Sequence, residues 1–216
     1  MGITSVGLSK VKEQLVTSYS DGRPNWSYIP SAAKTSKSHS EFISEIKELA
    51  GKAATTTNKN DLEIINKQLL RLRTEYLSDV APDRKRLYQS AGNVVNKNVS
   101  GIKSKGQGEL TLLDFLKNTD GKQNLAEKQF ALNGGGFLSC PMLTGGGQGA
   151  VISYGGTNVL CNIGIGWGYE MTPAELAKKD EFYSVYWDEY HSIKNGLELA
   201  KIPDYLAPQN MFDKKA

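Results

Sequence analysis

The sequence predicts an α+β fold: a helical N-terminal half, a small glycine-rich antiparallel β layer, and a long aromatic C-terminal helix packed on that layer. Three observations carry this. Two stretches between residues 38 and 80 repeat apolar side chains at helical spacing. Glycine clusters at 134–136, 145–147, 149 and 155–156 punctuate short β-prone runs. Thr172-Pro173-Ala174-Glu175 then opens a last helix rich in aromatic residues.

The chain has 216 residues, net charge +3, 39% hydrophobic and 23% charged residues. That suits one large domain or two small ones with an ordinary core. So weak a basic balance does not call for nucleic acid or an anionic membrane. No stretch approaches the roughly 20 apolar residues of a membrane helix. The start, MGITSVGLSKVKEQLV, lacks a basic segment followed by an apolar run, and Val6 stands where a myristoylation motif wants Ser or Thr. The expectation is a soluble protein, cytoplasmic by default, with no membrane partner. Export without a cleaved signal stays open.

Residues 1–37 read as an N-terminal arm with a turn at Asp21-Gly22-Arg23-Pro24. Its Ser/Thr-rich composition suggests a flexible arm, whereas Trp26, Tyr28 and Ile29 prefer a surface to pack on, so the reading is a mobile or docking arm. Residues 38–92 read as a helical hairpin lobe. Ser38 and Glu41 make a capping box, and Phe42, Ile46, Leu49 and Ala53 follow as one stripe. Asn60 caps a second helix with Leu62, Ile65, Leu69, Leu72 and Tyr76 on its seam. Pro82-Asp83 opens a third helix ending near Gly92. Polar residues 93–108 form a candidate linker to a lobe at 109–216.

In that lobe Thr111 and Asp114 mark a short helix start. Ala150–Tyr154 and Val159–Ile165, separated by Gly155-Gly156-Thr157-Asn158, give a hairpin signal. Cys161, Ile163, Ile165 and Trp167 alternate with Asn162, Gly164, Gly166 and Gly168. Read as a strand, this has one bulky face and one bare face that a helix, a ligand or another chain approaches closely. The last helix is expected to stop at Gly196. Its stripe is Phe182, Tyr186, Tyr190, Ile193 and Leu197, with Tyr183 and Trp187 beside it.

Catalytic constellations are scarce. No Lys follows a glycine cluster as a P-loop requires, and the loose Gly145, Gly147, Ala150 pattern leads into a β-prone run rather than a helix. Cys140, in Gly-Gly-Gly-Phe-Leu-Ser-Cys-Pro, is a candidate nucleophile, with His191 the candidate base. Pro141 removes one backbone donor from that site. Cys140 and Cys161 are otherwise buried thiols or a candidate disulfide, the latter implying an oxidising compartment. The two cysteines and two histidines match no zinc spacing, so neither metal nor cofactor is expected. The acidic pairs Asp180-Glu181 and Asp188-Glu189 read first as a solvated face. Arg71, Arg73, Arg84, Lys85, Arg86, Lys97, Lys103 and Lys105 make 71–105 a candidate nucleic-acid contact.

Aromatic residues beyond what one stripe buries favour an interface. The leading expectation is therefore a non-enzymatic structural or interaction protein that binds a protein partner or itself as a homo-oligomer. Its candidate interaction residues are Trp167, Tyr183, Trp187 and Tyr190. A cysteine hydrolase or transferase using Cys140, and a nucleic-acid-binding protein using 71–105, are the alternatives.

Overall fold

In the computed structural model of the chain, the Ser38–Glu41 pair closes the first turn of α1 (His39–Thr55) from both sides. Ser38 N–H donates to Glu41 Oε2 at 2.6 Å, and Glu41 N–H donates to Ser38 Oγ at 3.3 Å. The structure describes residues 18–19, 21–98, 111–117, 128–143 and 148–199. Of these, the residues up to Thr35 with Leu77–Ala177 form a first compact unit, and Ser36–Tyr76 with the residues from Lys178 on form a second.

The second unit buries the predicted stripes. Phe42, Ile46, Leu49 and Ala53 of α1 meet Ile65, Leu69, Leu72 and Tyr76 of α2 (Lys59–Tyr76). The cap of α2 is Asn58 rather than Asn60: its side chain accepts from Asn60 N–H at 2.9 Å and its carbonyl accepts from Leu62 N–H. The last helix, α5 (Pro173–Leu199), supplies Phe182 and Tyr186 to the same cluster. The expected packing of this aromatic stripe on the β layer is thus corrected: it completes a three-helix core. The shapes account for it. Tyr76 stands edge-on to Phe42 at 5.2 Å and 5.7 Å from Phe182, so each ring fills the space beside the next.

The first unit is an antiparallel meander, β1 (Gln129–Leu132), β2 (Gly136–Ser139), β3 (Ala150–Tyr154), β4 (Thr157–Asn162) and β5 (Trp167–Gly168), in that order across the sheet. Its inner face is covered by α3 (Arg84–Asn98), whose Leu87, Ala91 and Val95 join Leu138, Ile152 and Leu160 in one cluster. The short α4 (Leu112–Lys117) adds Leu112 and Phe115. Gly155 and Gly156 turn β3 into β4 with φ of 55° and 81°, the positive values that a two-residue hairpin turn demands. Gly136 is required by close approach, since a Cβ there would lie 2.6 Å from the Ser153 carbonyl oxygen.

The alternation from Cys161 to Gly168 is not a single strand. β4 ends at Asn162, and Gly164 and Gly166, at φ 96° and 128°, reverse the chain so that Trp167 pairs with Asn162 and Gly168 with Cys161. The bulky and bare faces read from the sequence therefore belong to a turn. Described residues of the arm segment dock on this unit. Ile29 is buried, Trp26 stands edge-on to Tyr88 at 5.9 Å, and Trp167 Nε1 donates to the Gly22 carbonyl at 3.0 Å.

Arg84, in the first turn of α3, is fully buried and faces an equally buried Glu175. Its Nη1 and Nη2 reach Glu175 Oε1 and Oε2 at 2.6 and 2.8 Å. Three carbonyls take the remaining donors: Val159 at 2.6 Å, Pro30 at 2.8 Å and Glu170 at 2.9 Å. Glu175 Oε2 also accepts from Thr172 N–H and Oγ1, forming the capping box of α5. Removing one partner of such a pair leaves an uncompensated buried charge. We expect Glu175→Ala to lower stability by about 3–5 kcal/mol in urea unfolding. Apolar replacement of both (Arg84→Met with Glu175→Leu) is expected to stay at least about 2 kcal/mol below wild type, because three carbonyls lose their donor. Full recovery in the double variant would show that the carbonyl contacts contribute nothing.

Candidate functional site

The exposed side of α5 carries the aromatic residues that its core face does not use. Tyr186 is buried and stacks on Tyr190 with centroids 6.2 Å apart. Trp187, 47% exposed, stands edge-on to both Tyr186 and Tyr190, at 4.9 and 5.5 Å. One turn on, the exposed His191 ring stacks on Trp187 at 5.8 Å with a 27° interplanar angle. The i, i+4 spacing of an α-helix makes this stack. The result is an aromatic step running from the core to solvent, held in place by its own ring contacts.

The other predicted interaction residues fall differently. Tyr183 is half-buried, and its hydroxyl accepts from Arg73 Nη1 at 3.3 Å. Trp167 is completely buried, packed edge-on against Tyr88 at 5.2 Å, with its backbone N–H on Ser18 Oγ at 2.8 Å. It is a core residue of the first unit, and its place as an interaction residue is withdrawn.

Cys140 is buried beyond the end of β2, and burial pushes its thiol up to about 11. Burial, with the nearby charge of Glu170, also raises the Cys161 thiol. Both thiols are free, and β3 lies between β2, which Cys140 follows, and β4, which carries Cys161, so the candidate disulfide is not formed. Cys140 belongs to the first unit and the exposed His191 to the second. A nucleophilic cysteine needs its thiolate, which this environment disfavours.

Within the basic segment, Arg84 is wholly buried and Arg73 nearly so. Lys103 and Lys105 lie outside the described residues, and Arg71, Lys85, Arg86 and Lys97 are exposed. The acidic pairs of α5 are spread rather than convergent. Glu181 lies 3.8 Å from His39, Glu189 3.7 Å from Lys47, and Asp188 accepts from Ser184 at 3.4 Å. Among the described residues no group of three His, Cys, Asp or Glu could hold a metal ion. No described helix is long and apolar enough to cross a membrane.

An open cleft of about 500 Å³ in the second unit escaped the sequence reading. Lys37 bridges Glu45 and Glu75 there, at 2.8 and 3.0 Å, and Gln68 and Arg71 also line it. Partial burial opposes the Lys37 charge, but the hydrogen bonds to the two carboxylates outweigh it and hold the ammonium above its ordinary value. The bridge joins residues far apart in the chain, so no local pattern announces it. Lys37 and the two carboxylates are thus bonded to one another within the cleft.

Compared with protein families, curated proteins and solved structures, the chain matches none.

The thiol environment gives a direct prediction. At pH 8 the native Cys140 is expected to react with iodoacetamide roughly a hundredfold more slowly than in the unfolded chain, in proportion to its thiolate fraction. Because the folded protein holds the proton more tightly, stability is fully present below the unfolded thiol's value. It falls as pH rises toward the folded value of about 11. Rapid native alkylation of Cys140, followed by mass spectrometry of the labelled peptide, would contradict this.

Proposed function

We propose that the chain is a non-enzymatic interaction protein that binds a protein partner, with self-association included, through the exposed face of α5. The observation that carries this reading is the Trp187–Tyr190–His191 step. A half-exposed tryptophan, pre-positioned by the rings around it, offers a large contact area at little cost in side-chain entropy. The surrounding Asp188, Ser192 and Asn195 are exposed and polar, as the rim of such a contact is. The raised Cys140 thiol and the dispersed acids of α5 support a binding role over a chemical one.

The test is Trp187→Ala in the full chain, read by size-exclusion chromatography with light scattering and by pulldown with the purified protein as bait. Truncation of a central tryptophan is expected to weaken association more than tenfold. Thermal stability should fall only modestly, since about half of the side chain already faces solvent. A strict monomer at every concentration, with no partner recovered, would overturn the reading.

A further inference from the structure

From Gln129 to Tyr169 the sequence contains no Asp, Glu, Lys, Arg or His, although charged residues make up 23% of the chain. The whole five-stranded sheet is therefore built without a charged side chain. The segment nevertheless exposes apolar groups: Phe137 and Tyr154 on its strands, and Met142 and Ile165 between them, the last 70% exposed. Natural sheets guard their edges with charges, prolines, bulges or covering segments. The two edges of this sheet differ in that respect. At β5, Trp167 N–H donates to Ser18 Oγ, so the arm occupies that edge. β1 carries no charge, proline or register shift, and no described segment hydrogen-bonds to its outer side.

The direction of the free groups follows from the hairpin. Gly135 N–H donates to the Leu132 carbonyl at 3.2 Å, which turns the main chain of Leu132 toward β2. Alternation along an antiparallel strand then turns the N–H and C=O of Gln129 and Ala131 outward. Both side chains are exposed, and Phe130 between them is half-buried.

We infer that β1 is a self-association edge. Two copies pair antiparallel about a two-fold axis at Phe130, so that Gln129 of each lies opposite Ala131 of the other. This register gives four main-chain hydrogen bonds and sets the two Phe130 rings side by side, a favourable cross-strand pair. The outward groups of Gln129 and Ala131 flank Phe130 symmetrically, so the edge is complementary to itself, and this points to a second copy as the occupant. Two molecules of net charge +3 repel, and the paired rungs at 129–131 add no charged side chain to that repulsion. Lys128 lies outside the paired rungs. The inference rests on the same reading of the chain as an interaction protein, but on an element independent of α5.

Sedimentation equilibrium of the full chain tests it with two paired variants. Gln129→Lys with Ala131→Lys sets like charges opposite each other in this register and is expected to weaken dimerisation by roughly tenfold or more. Gln129→Lys with Ala131→Glu alters the same sites but pairs opposite charges, and should dimerise at least as well as wild type. Circular dichroism checks that both fold. If the two variants associate alike, or if wild type is monomeric to several hundred micromolar, the inference fails. If Trp187→Ala abolishes association while the lysine pair does not, β1 is excluded and the α5 reading stands alone.

Discussion

Arg84 has five N–H donors, and they reach the arm, strand β4, the segment after β5 and the first turn of α5. No other side chain in the first unit meets so many separate stretches of chain among its described hydrogen bonds. The cause lies in β4. Between the pairs Ile152↔Leu160 and Tyr154↔Thr157 that strand carries one more residue than β3, which takes carbonyls off the ladder. Asn158 O accepts from Glu170 N–H at 3.1 Å, and Val159 O accepts from Arg84 Nε. A buried carbonyl without a donor costs about 1–3 kcal/mol, so the bulge requires a donor at this place. Arginine meets the requirement because its planar fork serves several acceptors at once, and Glu175 cancels the charge it brings. Tyr169, with its ring 5.0 Å from the guanidinium, closes the remaining side.

The same pair explains how α5 begins. Its capping carboxylate belongs to Glu175, so one group ends the helix dipole and neutralises Arg84. A cap usually satisfies only its own helix. Here it also fixes the segment Tyr169–Met171, whose Glu170 gives both an N–H and a carbonyl to the network. Beyond Ala177 the helix belongs to the second unit, where its stripe is packed by α1 and α2 instead. One helix thus obeys two different sets of neighbours, and its aromatic composition reflects only the second.

What could be read from the sequence was local. The capping boxes at Ser38, Thr111 and Thr172, the stripes of α1 and α2, and the Gly155-Gly156 hairpin each depend on residues within a few positions, and each is present. Gly92 and Gly196 misled as helix stops because a terminating glycine adopts positive φ, and neither does. A glycine left helical costs only about 1 kcal/mol, which the surrounding turns absorb. Trp167 and the 161–168 alternation misled for the converse reason. Two glycines of positive φ broke a run whose composition was that of a strand. The Arg84–Glu175 pair spans 91 positions, and nothing near Arg84 separates it from the exposed basic residues beside it. Of the candidate site, the aromatic excess of α5 was legible, whereas which rings reach solvent depended on the partners of its other face. The absence of charge from 129 to 169 needed no structure at all, only attention to what a segment lacks.

That absence fits the way the sheet is held. Among the described residues its buried ion pair stands outside the strands, at Arg84 and Glu175, and β4 contributes to it the backbone carbonyl of Val159. Charge is concentrated in the helices, where i, i+4 pairs such as Glu63–Lys67 remain solvated. An uncharged sheet with exposed apolar residues carries an aggregation hazard, and two features limit it here. Strands of two to six residues expose few edge groups, and the arm occupies β5. The pairing inferred at β1 would use the remaining edge on both molecules at once. A two-fold contact of that kind closes on itself, since each partner has already spent the surface a third copy would need. The geometry that would make this edge self-complementary would thus also limit the contact at β1 itself to two copies.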